Sequence, residues 1–184
     1  MTQATPVARA ATDTGTRWLD GKQQASWRAF VSGATRLFDQ LDRDLRLRFG
    51  ISLPEYEVLV RLSEAPDRQL RMAELASSLS HSRSRVTHTV ARLEKTGAVS
   101  RGACPTDGRG VVATLTNAGW ELLTVAAPIH VAGVRDYLVD LAADDDFAAL
   151  GRVFAATSRH LGTGVASLEV ASPEVASPEV VSPG

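Results

Sequence analysis

The chain has one cysteine, two lysines, few aromatic residues and no long uninterrupted apolar run. A single cysteine excludes an internal disulfide and suits a reducing cytoplasm. Without a run of about 18 or more apolar residues no membrane span is expected. The opening MTQATPVARAATDTGT lacks the apolar stretch of a secretory signal. A general excess of positive charge is also missing: the formal net charge is −1, which argues against an all-over basic coat for nucleic acid. No nucleophile–base pair at a recognisable spacing and no glycine-rich phosphate loop occurs, so neither an enzyme nor a cofactor is expected. His81, His88, His130 and His160 are scattered, with no cluster of ligating spacing, so no metal site is expected.

What is present suits one ordinary soluble domain with uneven charge. Of the 184 residues, 44% are hydrophobic. Between His81 and Gly110 stand six cations (Arg83, Arg85, Arg92, Lys95, Arg101, Arg109) against two anions (Glu94, Asp107), a basic patch on a neutral-to-acidic body.

Along the chain, residues 1–17 are small, polar and aperiodic, and are expected to be disordered. Asp20 reads as the N-cap of a helix whose apolar residues recur at helical spacing from Trp27 to Leu45, with Gly50 as its C-cap. Ser52-Leu53-Pro54-Glu55 spells a capping box and opens a second helix that ends near Pro66. After a third and fourth helix and a β-hairpin, Thr116-Asn117-Ala118-Gly119 starts a long helix that Pro128 should kink. Asp144-Asp145-Asp146 places acids where the dipole of a last helix favours them. The tail from 164 to 184 carries EVASP, EVASP and EVVSP, whose regular prolines forbid a helix and predict a solvated extended segment.

Residues 70–115 carry the chemistry. A short strand LRM leads into the helix MAELASSLS, a tight turn, a second helix SRSRVTHTVARLEKTG, and the hairpin AVSRGACPTDGRGVVATLT. A helix-turn-helix followed by a two-stranded wing presents one helix to a major groove and one loop to a neighbouring backbone or minor groove. Val86, Val90 and Leu93 must face the core, which turns Arg83, Ser84, Thr87, His88, Ala91, Arg92 and Lys95 outward. With Ser82 as N-cap, Arg83 to His88 form the end that enters the groove, where an arginine fork matches guanine O6 and N7. Arg92 and Lys95 lie further along and suit phosphates; Arg85 falls between the two faces. Asp107 is placed to hold Arg109 at the hairpin tip for a narrow minor groove. An ordinary solvated face, with His88 a plain surface histidine, is the alternative.

From about Trp18 to Leu161 the chain resembles the MarR family of bacterial transcription regulators. The residues that carry the likeness are LRMAELASSLSHSRSRVTHTVARLEKTGAVSR, Asp107-Gly108-Arg109-Gly110, and Leu115-Thr116-Asn117-Ala118-Gly119. The resemblance implies a mostly α fold with a small β wing: a winged helix-turn-helix lobe, about 52–116, inside a domain spanning 18–163. Dimerisation helices, about 18–50 and 117–163, would flank that lobe. It also implies a homodimer on a near-palindromic double-stranded DNA operator, usually repressing, released by a small ligand or an oxidant. The dimer follows from the residues too, since Trp18, Leu19, Trp27, Val153, Phe154 and Leu161 lie outside the lobe and would otherwise be bare apolar surface. Its two recognition helices would sit roughly 34 Å apart.

The signal is less legible. The resemblance suggests a cleft that takes a small aromatic or anionic effector, for which Trp27, Arg28, Tyr56 and His130 have suitable chemistry. Cys104 lies in the wing, and Arg101 nearby would favour a thiolate. The thiol sensors of the family carry their cysteine in the first helix, so Cys104 reads as structural, with redox sensing the alternative. A winged helix serving only protein contacts is the other alternative, and it predicts an apolar or acidic recognition face.

Overall fold

The computed structural model describes residues 15–104 and 110–161. The expectations for residues 1–14, for Asp107 and Arg109 at the hairpin tip, and for the tail from 162 onward lie outside the described residues. Six α-helices and three short strands are described: α1 Gly21–Phe49, α2 Leu53–Glu64, β1 Gln69–Arg71, α3 Met72–Ser78, α4 Arg83–Lys95, β2 Val99–Ala103, β3 Val111–Leu115, α5 Asn117–Tyr137 and α6 Asp144–His160. The architecture is the mostly helical one, with a small antiparallel sheet, that the resemblance implies. The chain divides into two compact units, residues 1–39 and 40–184, with the boundary inside α1.

In the first unit α1 starts on a reciprocal cap: Gln23 N–H donates to Asp20 Oδ1 at 2.8 Å, and Asp20 N–H to Gln23 Oε1 at 3.0 Å. Trp27 packs on Phe30 with ring centres 5.7 Å apart, and Trp18, Leu19 and Val31 are exposed.

In the second unit the helix boundaries follow from local chemistry. Gly50, at φ +70°, ends α1 by donating to Arg46 O at 3.0 Å. The Ser52 box caps α2, with Glu55 N–H donating to Ser52 Oγ at 3.3 Å and Ser52 N–H to Glu55 Oε2 at 2.7 Å. Leu45, Leu59, Leu62, Leu75, Val90 and Leu93 are fully buried at the centre of one apolar core that reaches Leu123 and Ala126 of α5. The sheet order is β1-β3-β2, all antiparallel. The expected two-stranded wing therefore gains a third strand at its base, because Gln69–Arg71 pairs with Val112–Thr114.

Helix α5 stops at Tyr137 with Pro128 inside it, and a 3₁₀ turn, Val139–Leu141, follows. Residues 117–141 are long and apolar enough to cross a membrane by length and composition, although Glu121, Arg135 and Asp136 interrupt the apolar run. One side of this stretch, Leu123 and Ala126, serves the core, while Val125 and Val131 stay exposed.

Candidate nucleic-acid interface

α4 is held by its apolar stripe and by both ends. Val86, Val90 and Leu93 are at most 1% exposed. Ser82 Oγ accepts from Arg85 N–H at 3.3 Å. Two C-terminal caps of one type bracket the turn and the helix end. Leaving α3, His81 N–H reaches Ala76 O and Ser80 N–H reaches Ser77 O, both at 3.1 Å, with Ser80 at φ +52°. Leaving α4, Ala98 N–H reaches Leu93 O and Gly97 N–H reaches Glu94 O, both at 3.0 Å, with Gly97 at φ +77°. Each is a Schellman pair, which needs a left-handed residue at one position.

The sequence-derived residues on α4 fall on one exposed surface: Ser82, Arg83, Ser84, Arg85, Thr87, His88, Arg92 and Lys95 are all exposed. They differ in what they are free to do. Among the described residues, Arg83, Ser84, His88 and Lys95 make no intramolecular side-chain hydrogen bond or ion pair, whereas Thr87 Oγ donates to Arg83 O at 2.8 Å. Arg85 acts inward as well. Burial raises the Glu57 carboxyl, and Arg85 and then Arg61 pull it back; burial lowers His81, and Arg85 lowers it further. Arg92 Nε forms an ion pair with Glu55 Oε1 at 2.9 Å, a partner that the sequence did not reveal.

The first turn of α4 carries no acid and begins with Arg83 and Arg85. The helix dipole makes that end favourable for anions and unfavourable for cations. α2 and α6 obey the rule with Glu55 and with Asp144, Asp145 and Asp146. At α4 two sources of positive potential coincide instead, the arrangement that receives an external anion such as phosphate.

The wing is tied to this helix at its base. Arg101 donates Nε to Glu94 Oε2 at 3.0 Å and Nη2 to the same oxygen at 2.5 Å, linking β2 to the end of α4. Cys104 N–H donates to Gly110 O at 2.8 Å. A side chain at position 110 would begin 3.1 Å from Arg71 Nη1, so the β1 arginine lies over the wing base. Cys104 is buried, at 6% exposure, and Arg101 is committed to Glu94.

Of the residues considered for an effector, Tyr56 and His130 meet, with ring centres 4.4 Å apart. Burial pushes the Tyr56 hydroxyl up to about 12 and lowers His130. His130 Nδ1 is buried, with no hydrogen-bond partner among the described residues. Trp27 and Arg28 belong to the first unit. No group of three or more metal-ligating side chains occurs among the described residues.

Comparison with known proteins gives a consistent set of likenesses. Residues 49–110 match the model of the MarR family. Sco3205, a MarR family transcriptional regulator from Streptomyces coelicolor whose crystal structure is in complex with DNA, is 42% identical; the match covers 80% of this chain and 92% of that one, with a TM-score of 0.78. AbsC, a MarR family transcriptional regulator from the same organism, is 38% identical over 79% of this chain and 98% of its own, with a TM-score of 0.75. The HTH-type transcriptional repressor Rv2887 of Mycobacterium tuberculosis is 38% identical over 87 residues, which is 47% of this chain. The chain spans 61% of the length of the curated relatives it matches.

Proposed function

The chain belongs to the MarR family of transcriptional regulators, and from that membership we propose that it binds double-stranded DNA as a homodimeric repressor of transcription. The lobe of about 52–116 reads a near-palindromic operator, and the helices of about 18–50 and 117–163 pair two copies. The observation that carries this reading is the start of α4. There Arg83, Ser84 and His88 stand exposed and without intramolecular side-chain partners among the described residues, at a helix end whose dipole already attracts anions. Thr87 completes that surface. Lys95 suits a phosphate, and the wing, with Asp107 and Arg109 at its tip, reaches the adjacent minor groove. DNA in the crystal structure of Sco3205 and the repressor name of Rv2887 support the same reading. A small aromatic or anionic effector that meets Tyr56 and His130 releases the operator, and the protein works in the cytoplasm without enzymatic activity.

Selection of duplexes from a random library by the purified chain, followed by binding measurements on the Arg83→Ala variant, tests the assignment. Loss of a bidentate arginine–guanine pair costs about 1–3 kcal/mol and relaxes preference at one base pair of each half-site. Arg109→Ala instead weakens binding to all sequences and flattens its salt dependence. A wild-type chain that prefers no selected duplex over a scrambled one is not an operator-binding repressor.

A further inference from the structure

We propose that Glu55 is the positioning residue for Arg92: its buried carboxylate holds the guanidinium from behind, so that the remaining donors are set in advance to grip a DNA phosphate. The inference rests on the DNA-binding reading above and adds to it a residue that lies off the recognition surface.

The carboxylate of Glu55 is almost fully enclosed, with 6% of its side chain exposed. Oε2 is taken by Ser52, whose N–H donates at 2.7 Å and whose hydroxyl donates at 2.6 Å. Oε1 faces Arg92 Nε at 2.9 Å in an ion pair. A buried charge needs a partner, and here the partner comes from α4. Arg46 also feels this charge but is bound to Asp42 at 2.6 Å. Asp42 in turn accepts Leu53 N–H at 2.8 Å, so the start of α2 that carries Glu55 is itself anchored.

The guanidinium is planar and has five donors. The ion pair keeps the Nε edge of the guanidinium against Glu55 and leaves both Nη groups for another partner, while 60% of the Arg92 side chain remains exposed. An arginine held this way loses less rotamer freedom when it meets a phosphate. Among the described residues no other cation of the interface is mounted so. Arg83 and Lys95 have no backing carboxylate, and Arg101 has already given Nε and Nη2 to Glu94.

The test turns on a sign. By Coulomb's law alone, removing an acid near the DNA-facing surface tightens binding, whereas removing a positioning residue weakens it. The probes are a duplex recovered from a random library by the wild-type chain and a scrambled duplex of equal composition. Each is titrated at several salt concentrations, below the melting temperature of every variant. Arg92→Lys keeps a counter-charge for Glu55, but one ammonium cannot serve both carboxylate and phosphate. It is expected to lose roughly tenfold in affinity and about one unit of the salt slope on both duplexes. Glu55→Gln is expected to weaken binding by a similar factor although it removes a negative charge. The double variant should lose no more than Arg92→Lys alone. If Glu55→Gln fails to fold, Glu55→Asp, which keeps the charge but withdraws it by one methylene, must show the same weakening. The proposal is overturned if the Glu55 variant that folds binds as tightly as wild type or tighter, or if the two losses multiply in the double variant. A wild-type chain with no salt-dependent binding to either duplex would remove the DNA-binding reading itself, a separate failure.

Discussion

At the scale of single residues, Gly119 is the described glycine least open to a side chain, and the reason is a backbone. Thr116 caps α5 by accepting Gly119 N–H at 3.0 Å, and its hydroxyl donates to Gly97 O at 2.7 Å, drawing the first turn of α5 onto the end of α4. A Cβ built on Gly119 would lie 2.0 Å from Ala98 O and 2.7 Å from Leu115 Cδ1. Ala98 cannot withdraw, since its N–H closes the cap on α4 and its carbonyl takes Thr116 N–H at 3.1 Å. Gly119→Ala should therefore cost about 3 kcal/mol or more, read as a fall in the urea midpoint. A variant with the wild-type midpoint would show that α5 and the α4–β2 junction do not meet so closely. Little of this is visible in the sequence. Thr116-Asn117-Ala118-Gly119 reads as a helix opening, but the carbonyl that forbids a side chain belongs to a residue brought there by the hairpin.

Elements show the same division between local and distant causes. The starts of α1, α2 and α4 were legible because Asp20, Ser52 and Ser82 act on N–H groups within three residues of themselves. The inward face of α4 was legible from the spacing of Val86, Val90 and Leu93. The turn before α4 was harder to place, because Ser80 fills a left-handed position that Gly97 fills at the other end, and a serine does not announce it. Pairings between elements were hidden: Glu55 with Arg92, Arg101 with Glu94, and β1 with β3. The contact of α2 with α5 through Tyr56 and His130 has a consequence for pH. Burial lowers the His130 pKa from the ordinary 6.5, so over the interval below 6.5 the unfolded chain binds a proton that the folded chain refuses. The stability held by neutral His130 is whole above that value and is lost as pH falls toward the folded pKa. Burial and then Arg85 shift His81 in the same direction. The melting temperature should therefore fall between pH 7.5 and 5.5, and His130→Phe, which keeps a ring against Tyr56, should flatten part of that fall. An unchanged slope in the variant would place the titration elsewhere.

At the scale of the whole molecule, apolar surface is the quantity left unbalanced. α6 has no buried residue, yet Phe147, Val153, Phe154 and Leu161 are large, apolar and between 38% and 68% exposed. In the other unit Trp18, Leu19, Trp27 and Phe30 are at least 40% exposed. Isolated soluble chains rarely carry so much apolar surface at both ends, and a second copy of the chain is the partner that would cover it. In the proposed homodimer, pairing would also raise affinity, because two half-sites on one duplex would be bound as a bivalent unit. Val153 separates these consequences from folding. It is 61% exposed on α6 and outside the apolar core, so Val153→Glu should leave the winged lobe intact. Sedimentation should show the variant as a monomer at concentrations where the wild-type chain pairs. Its affinity for a selected palindromic duplex should drop roughly a hundredfold or more, while its affinity for a single half-site stays near the wild-type value. Loss on the half-site as well would mean that the lobe had been damaged. A Val153→Glu chain that still pairs would move the interface off this face of α6.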